Sequence, residues 1–210
     1  MNNQKLQILF SLFIGLLIGM NLLGGKIISL FGISVSVAIF MVPFTFLITD
    51  IVEEVYGRDT VKHFIIGGVI SLIVIFLYTS IFVLLEPHER YSFNSEYKTI
   101  FGSSLRMIIA SLIGFILAQT HDMISFEWWK KKTHGKALWL RNNLSTIISQ
   151  FIDTSVFMMI AFYQLTPKFT FIFIINLIIP YYLFKILFAI LDTPFVYLGV
   201  NWLRKNKQNL

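Results

Sequence analysis

Five ionisable side chains, Asp50, Asp122, Asp153, Lys185 and Asp192, stand inside or at the edge of long apolar runs. An ionised group in hydrocarbon costs roughly 2.5–3.5 kcal/mol on insertion scales, so it persists where a partner, a water-filled cavity or a bound molecule compensates it. The chemistry on offer is that of a polar interior, through which a solute passes or in which it binds.

Asp153 is the sharpest of these residues. Counted from Asn143 it lies about ten residues into its apolar run, roughly 15 Å deep at the helical rise, near a bilayer midplane. Gln150 stands one turn earlier, and Ser149 and Ser145 follow a similar stripe. A carboxylate with a neighbouring amide and hydroxyls suits a binding cavity. A buried ion pair with Lys185 is the other reading, and the two are compatible. Lys185 lies deep in the last run, with Asp192 seven residues further on the same face. Pro180 and Pro194 flank it and are expected to interrupt the helix, leaving carbonyls to line a cavity. Tyr181 and Tyr182 could stack on a planar ligand, although in so Phe-rich a chain packing is the plainer role.

Asp50, Glu53, Glu54 and Gly57 fall at i, i+3, i+4 and i+7, so one helical face ends in three carboxylates. Glu54 reads as a solvated helix end. Carboxylates near a helix C-terminus oppose its dipole, which makes Asp50 and Glu53 binding candidates. Pro43, seven residues before Asp50, is expected to kink this helix. Gln119 and Asp122 share a face of the fourth run; they could bind a solute or join helices by hydrogen bonds. His121 has no second His or Cys at ligand spacing, so no metal site is expected. The sequence has no H-E-x-x-H, G-x-S-x-G or P-loop, so no catalytic residue and no cofactor is expected.

These residues need elements to hold them. Of the 210 residues 56% are apolar and only 13% charged, too few charges to solvate such a chain as a soluble domain. A helix crosses roughly 30 Å of hydrocarbon in about 20 residues. Six segments qualify, approximately 6–23, 34–54, 62–85, 104–126, 143–163 and 170–192, with longer connections at 86–103 and 127–142. The reading is an all-α integral membrane protein, one six-helix domain over residues 1–210. Gly15 and Gly19 form a G-x-x-x-G, a weak close-contact signal.

Orientation follows from the seventeen Lys and Arg, of which Lys185 lies inside an apolar run. Eleven fall on one side: Lys5, Arg58, Lys62, Lys130, Lys131, Lys132, Lys136, Arg141, Arg204, Lys205 and Lys207. Five fall on the other: Lys26, Arg90, Lys98, Arg106 and Lys168. The excess places both termini in the cytoplasm. Trp128, Trp129 and Trp139 flank the basic connection as interfacial anchors would. The net charge of +6 is therefore a topology signal and not a nucleic-acid footprint. Cysteine is absent, which removes disulfides and thiolate sites.

The segment Asp50-Ile-Val-Glu53-Glu-Val-Tyr56-Gly57 after a Pro-containing run resembles the queuosine precursor transporter family, formerly labelled vitamin uptake transporters. So do Gln119 with Asp122, Asp153-Thr154, and Lys185 followed by Pro194, in that order along nearly the whole chain. The resemblance implies uptake of 7-cyano-7-deazaguanine and its aminomethyl derivative across a bacterial inner membrane. A guanine-like edge offers two adjacent N–H donors that one carboxylate can accept. The expected substrate-binding set is Asp50, Glu53, Gln119, Asp122, Gln150, Asp153 and Lys185, with Asp153 or Glu53 reading the base. The partners expected are a purine-like small molecule and the lipid bilayer, with a homodimer to enlarge the cavity that six helices enclose. Two other readings fit size and span count: a substrate-capture subunit of an ATP-driven importer, and a lipid-modifying enzyme working through Asp50, Glu53 and Asp122.

Overall fold

The computed structural model describes residues 4–133, 138–191 and 193–204. Among them it contains seven α-helices: α1 (Gln4–Leu23), α2 (Val42–Tyr56), α3 (Arg58–Leu84), α4 (Asn94–Lys132), α5 (Leu138–Phe162), α6 (Phe171–Leu191) and α7 (Thr193–Arg204). The stretches Gln4–Leu23, Asp59–Leu84, Asn94–Ala118 and Phe171–Phe188 are long and apolar enough to cross a bilayer, and Ile147–Phe162 is a shorter apolar helix. Helices satisfy their backbone groups internally, which is what hydrocarbon requires of a spanning segment. The chain is a helical membrane protein.

The run at 34–54 is not one continuous helix. Its first residues belong to the second strand of a hairpin, β1 (Ile27–Leu30) against β2 (Ile33–Ser36), with Ile27 opposite Ser36 and Leu30 opposite Ile33. The turn residues Phe31 and Gly32 have φ of 50° and 80°, as two-residue hairpin loops of this hand demand. Alternation of Ile and Val with Ser is a strand pattern, and it overrides the apolar average. Ser36 then donates to the Gly24 carbonyl at 2.6 Å and accepts from the Ala38 N–H at 3.2 Å, capping a single 3-10 turn at Val37–Phe40. Helix α2 follows with 15 residues, roughly 22 Å of rise, so a crossing in this segment needs the 3-10 turn before it as well. Pro43 does not kink it: it stands in the first turn, where its missing N–H has no partner to lose.

Other boundaries move outward. Helix α4 starts at Asn94 and runs through Lys132, so most of the expected connections at 86–103 and 127–142 are helical. Pro180 lies within an unbroken α6, and Pro194 opens a further helix, α7, where none was expected. Trp128 and Trp129 meet edge to face at 4.8 Å beneath the Lys132 ammonium, an interfacial arrangement.

The chain divides into two compact units, Met1–Leu105 with Leu187–Leu210, and Arg106–Ile186. The first is built around Leu9 and Phe13 of α1, Ile48, Ile51 and Val52 of α2, Val61 and Phe64 of α3, and Val200 and Leu203 of α7. Glycines permit the close contacts. A Cβ on Gly67 would stand 2.6 Å from the Phe10 ring, one on Gly68 2.6 Å from Leu17, and one on Gly199 2.2 Å from Ile51 Cδ1. Gly57, the single residue between α2 and α3, has φ 83° and ψ 172°, a region nearly reserved for glycine.

The second unit packs α4 against α5 at Gly114, the middle of a row of buried small residues, Ala110, Gly114 and Ala118, spaced one turn apart. Arg106 donates from its guanidinium to the Ile160 and Tyr163 carbonyls. It thus satisfies the open C-terminal end of α5 and opposes that end's negative dipole.

Candidate functional site

In the second unit α5 carries Gln150 and Asp153 one turn apart, and α6 carries Lys185. The Lys185 Nζ donates to Asp153 Oδ2 at 2.8 Å and lies 3.5 Å from Gln150 Oε1. Lys185 is 8% exposed and the Asp153 side chain 29%. A pair this deep compensates two charges that neither helix could bury alone; removing one partner typically costs about 3–5 kcal/mol.

The carboxylate is used unevenly. Oδ2 holds the ammonium, whereas Oδ1 faces α4 at Gly114, where a Cβ would lie 3.1 Å from Oδ1 and 3.3 Å from the Asp153 carbonyl. Among the described residues nothing donates a hydrogen bond to Oδ1. The hydroxyls of the next two residues, Thr154 and Ser155, are buried without a hydrogen-bond partner among the described residues. Tyr181, one turn before Lys185 on α6, is also buried. The result is an acceptor oxygen that none of the described residues serves, set close against the α4 backbone.

One turn before Asp153, Ser149 Oγ lies 3.1 Å from His121 Nδ1 of α4. Tyr182 donates to the Ile147 carbonyl at 3.2 Å and sets its ring edge-on to Phe151 at 5.3 Å. That fixes Tyr182 as a packing residue bridging α5 and α6.

Three of the seven expected site residues, Gln150, Asp153 and Lys185, are thus brought into one cluster. Asp50 and Glu53 belong to the first unit, at exposed positions of α2. Beside them Glu54 accepts from Arg204 of α7 at 3.0 Å, both largely exposed, which agrees with a solvated helix end. Gln119 and Asp122 lie on α4, but their side chains, and the whole of Asp192, are outside the described residues. The place of Gly114 beside Asp153, the His121 contact with Ser149 and the carbonyl bonds of Arg106 are not evident from residue spacing, which marks Arg106 only as a topology charge. The signal for Gly114 was present in the Ala110-x-x-x-Gly114-x-x-x-Ala118 spacing.

Bilayer-length helices with a compensated charge pair buried between two of them are the build of a membrane transporter, and the chain belongs to the family described as "Putative vitamin uptake transporter", whose model matches residues 36–199. It is 29% identical over 173 residues to the "Probable queuosine precursor transporter" of Bacillus subtilis (strain 168), covering 82% of this chain and 74% of that protein. It is 25% identical over 164 residues to the "Queuosine precursor transporter" of Escherichia coli (strain K12), covering 78% and 71%. No solved structure matches the chain. This is therefore a multi-pass bacterial membrane protein with a transport role and a small-molecule substrate, in agreement with the resemblance read from the sequence.

Proposed function

We propose that the chain takes up queuosine precursors, 7-cyano-7-deazaguanine and 7-aminomethyl-7-deazaguanine, and that Asp153 reads the base. The observation that carries this reading is the divided carboxylate: one oxygen held by Lys185 at 2.8 Å, the other turned to Gly114 and accepting nothing from the described residues. The N1–H and N2–H₂ edge of a deazaguanine supplies adjacent donors that such an acceptor lacks. An anionic acceptor binds them more strongly than a neutral one would. Gln150, one turn away, can serve the O6 side of the ring. Lys185 balances the charge when the site is empty, so a carboxylate can wait in the membrane without a substrate.

In this reading residues 1–210 form one transporter domain of six crossings with both termini in the cytoplasm. Asp50, Glu53, Gln119 and Asp122 contribute polar groups along the path, and two copies associate. The Lys and Arg distribution supports the orientation. The names of the two relatives support the substrate class.

The test is uptake of 7-cyano-7-deazaguanine into cells that cannot synthesise it, read as queuosine in their tRNA. Restored queuosine at low external precursor is the expected result. No restoration, with the protein confirmed in the membrane, overturns the substrate assignment. Uptake into liposomes holding the purified protein alone separates a self-sufficient transporter from a capture subunit.

A further inference from the structure

We infer that Gly114 is a specificity-determining residue of the transporter: its missing side chain keeps Asp153 Oδ1 open to the donor edge of the base and leaves no room for a larger edge. The inference rests on the reading of Asp153 given above and deepens it. Asp153 has two acceptor oxygens, and Lys185 already holds Oδ2. A substrate that arrives without displacing the ammonium must use Oδ1. That oxygen lies against α4 at the one position of the Ala110, Gly114, Ala118 row that has no Cβ. A methyl there would stand 3.1 Å from Oδ1, 3.3 Å from the Asp153 carbonyl and 3.7 Å from the Phe157 nitrogen. Two of these neighbours are α5 backbone, which cannot swing aside as a flexible side-chain tip can. The carboxylate must turn instead, and turning it moves Oδ1 away from the base while straining its bond to Lys185.

Packing alone does not require glycine here. Ala110 and Ala118, one turn to either side on α4, are buried with a Cβ each. The additional space at Gly114 falls where the accepting oxygen is. The same tightness gives selectivity. A base bearing two hydrogens on its exocyclic nitrogen reaches Oδ1, whereas one bearing a methyl there meets the α4 backbone.

The experiment measures concentration-dependent uptake of 7-cyano-7-deazaguanine in precursor-deficient cells, normalised to protein in the membrane. It compares wild type, Gly114→Ala, Asp153→Asn and Gly102→Ala, the last a control on α4 where a Cβ meets nothing within 4 Å. Gly114→Ala is expected to raise KM roughly tenfold or more, the discrimination one methyl group commands, with Vmax within about twofold of wild type. Gly102→Ala is expected to change neither. A second measurement needs no variant: in wild type, unlabelled N2-methyl-7-deazaguanine is expected to compete at least about tenfold less well than 7-deazaguanine. Gly114→Ala with wild-type KM, or equal competition by the two bases, overturns the inference. If Asp153→Asn also transports normally, the reading of Asp153 has failed as well. If Asp153→Asn is inactive, only the role of Gly114 has failed.

Discussion

Lys185 and Asp153 meet at 2.8 Å across α6 and α5, and the bond takes one carboxylate oxygen while the other faces Gly114. The division matters more than the pairing. A carboxylate with both oxygens saturated by cations would be a structural tie. Here the ammonium supplies the charge balance that burial demands, and Oδ1 is left without a donor among the described residues.

Asp153→Asn keeps the size of the side chain and removes its charge. Uptake is expected to fall by at least about tenfold, since charge-assisted hydrogen bonds are roughly twice as strong as neutral ones and Lys185 is left uncompensated. Substrate uptake per inserted protein is the measurement, and normal uptake would sink the role of Asp153.

Lys185→Met strips the compensating cation and is expected to destabilise the protein by about 3–5 kcal/mol. Adding Asp153→Asn in the same chain is expected to recover most of that stability without recovering transport. Thermal unfolding in detergent beside uptake separates the two effects. A double variant as unstable as Lys185→Met would show that charge balance is not what the lysine supplies.

Gly57→Ala tests the junction of α2 and α3. At φ 83° and ψ 172° a Cβ is strained although nothing stands in its way, so the cost is conformational, about 1–3 kcal/mol. A melting temperature equal to wild type would mean that the junction relaxes freely.

Gly199→Ala tests the seat of α7 on α2. The new methyl would fall 2.2 Å from Ile51 Cδ1, an overpacking expected to cost about 1–3 kcal/mol. Ile51→Val removes that atom and is expected to restore part of the loss. By contrast Arg204→Ala, which breaks the exposed bond to Glu54, is expected to cost less than about 1 kcal/mol. A larger loss from Arg204→Ala than from Gly199→Ala would reverse the ranking of packing over surface charge argued for this unit.

The sequence made the helical membrane class and the Asp153, Gln150 and Lys185 cluster legible, because a charge in an apolar run demands compensation and few partners exist at matching depth. It hid the hairpin. Ile33 to Ser36 is as apolar on average as the helix after it, and only the period of two separates them. It hid the true role of Pro43, since a proline's effect depends on its distance from the helix start and that start was misplaced. Gly114 stood in a legible row of small residues, but what sets it apart from Ala110 and Ala118 was hidden for another reason. A residue that acts by lacking atoms shows its purpose only when the atoms opposite are known. Arg106 was counted as a surface charge because spacing does not reveal that α5 ends beside it.

The first unit joins the beginning of the chain to its end. Leu9 and Phe13 of α1 share a core with Val200 and Leu203 of α7, while the second unit is continuous from Arg106 to Ile186. During synthesis, then, the earliest helix to leave the ribosome is among the last to be fully seated. Its contacts with α3 form early, those with α7 only when translation is nearly over. The stretch that carries Asp153 and Lys185 has all its own sequence by then. A stop a few residues before Gly199 would spare every residue of the charge pair and still leave α1 and α2 without their cover, an orphan core for membrane quality control to find.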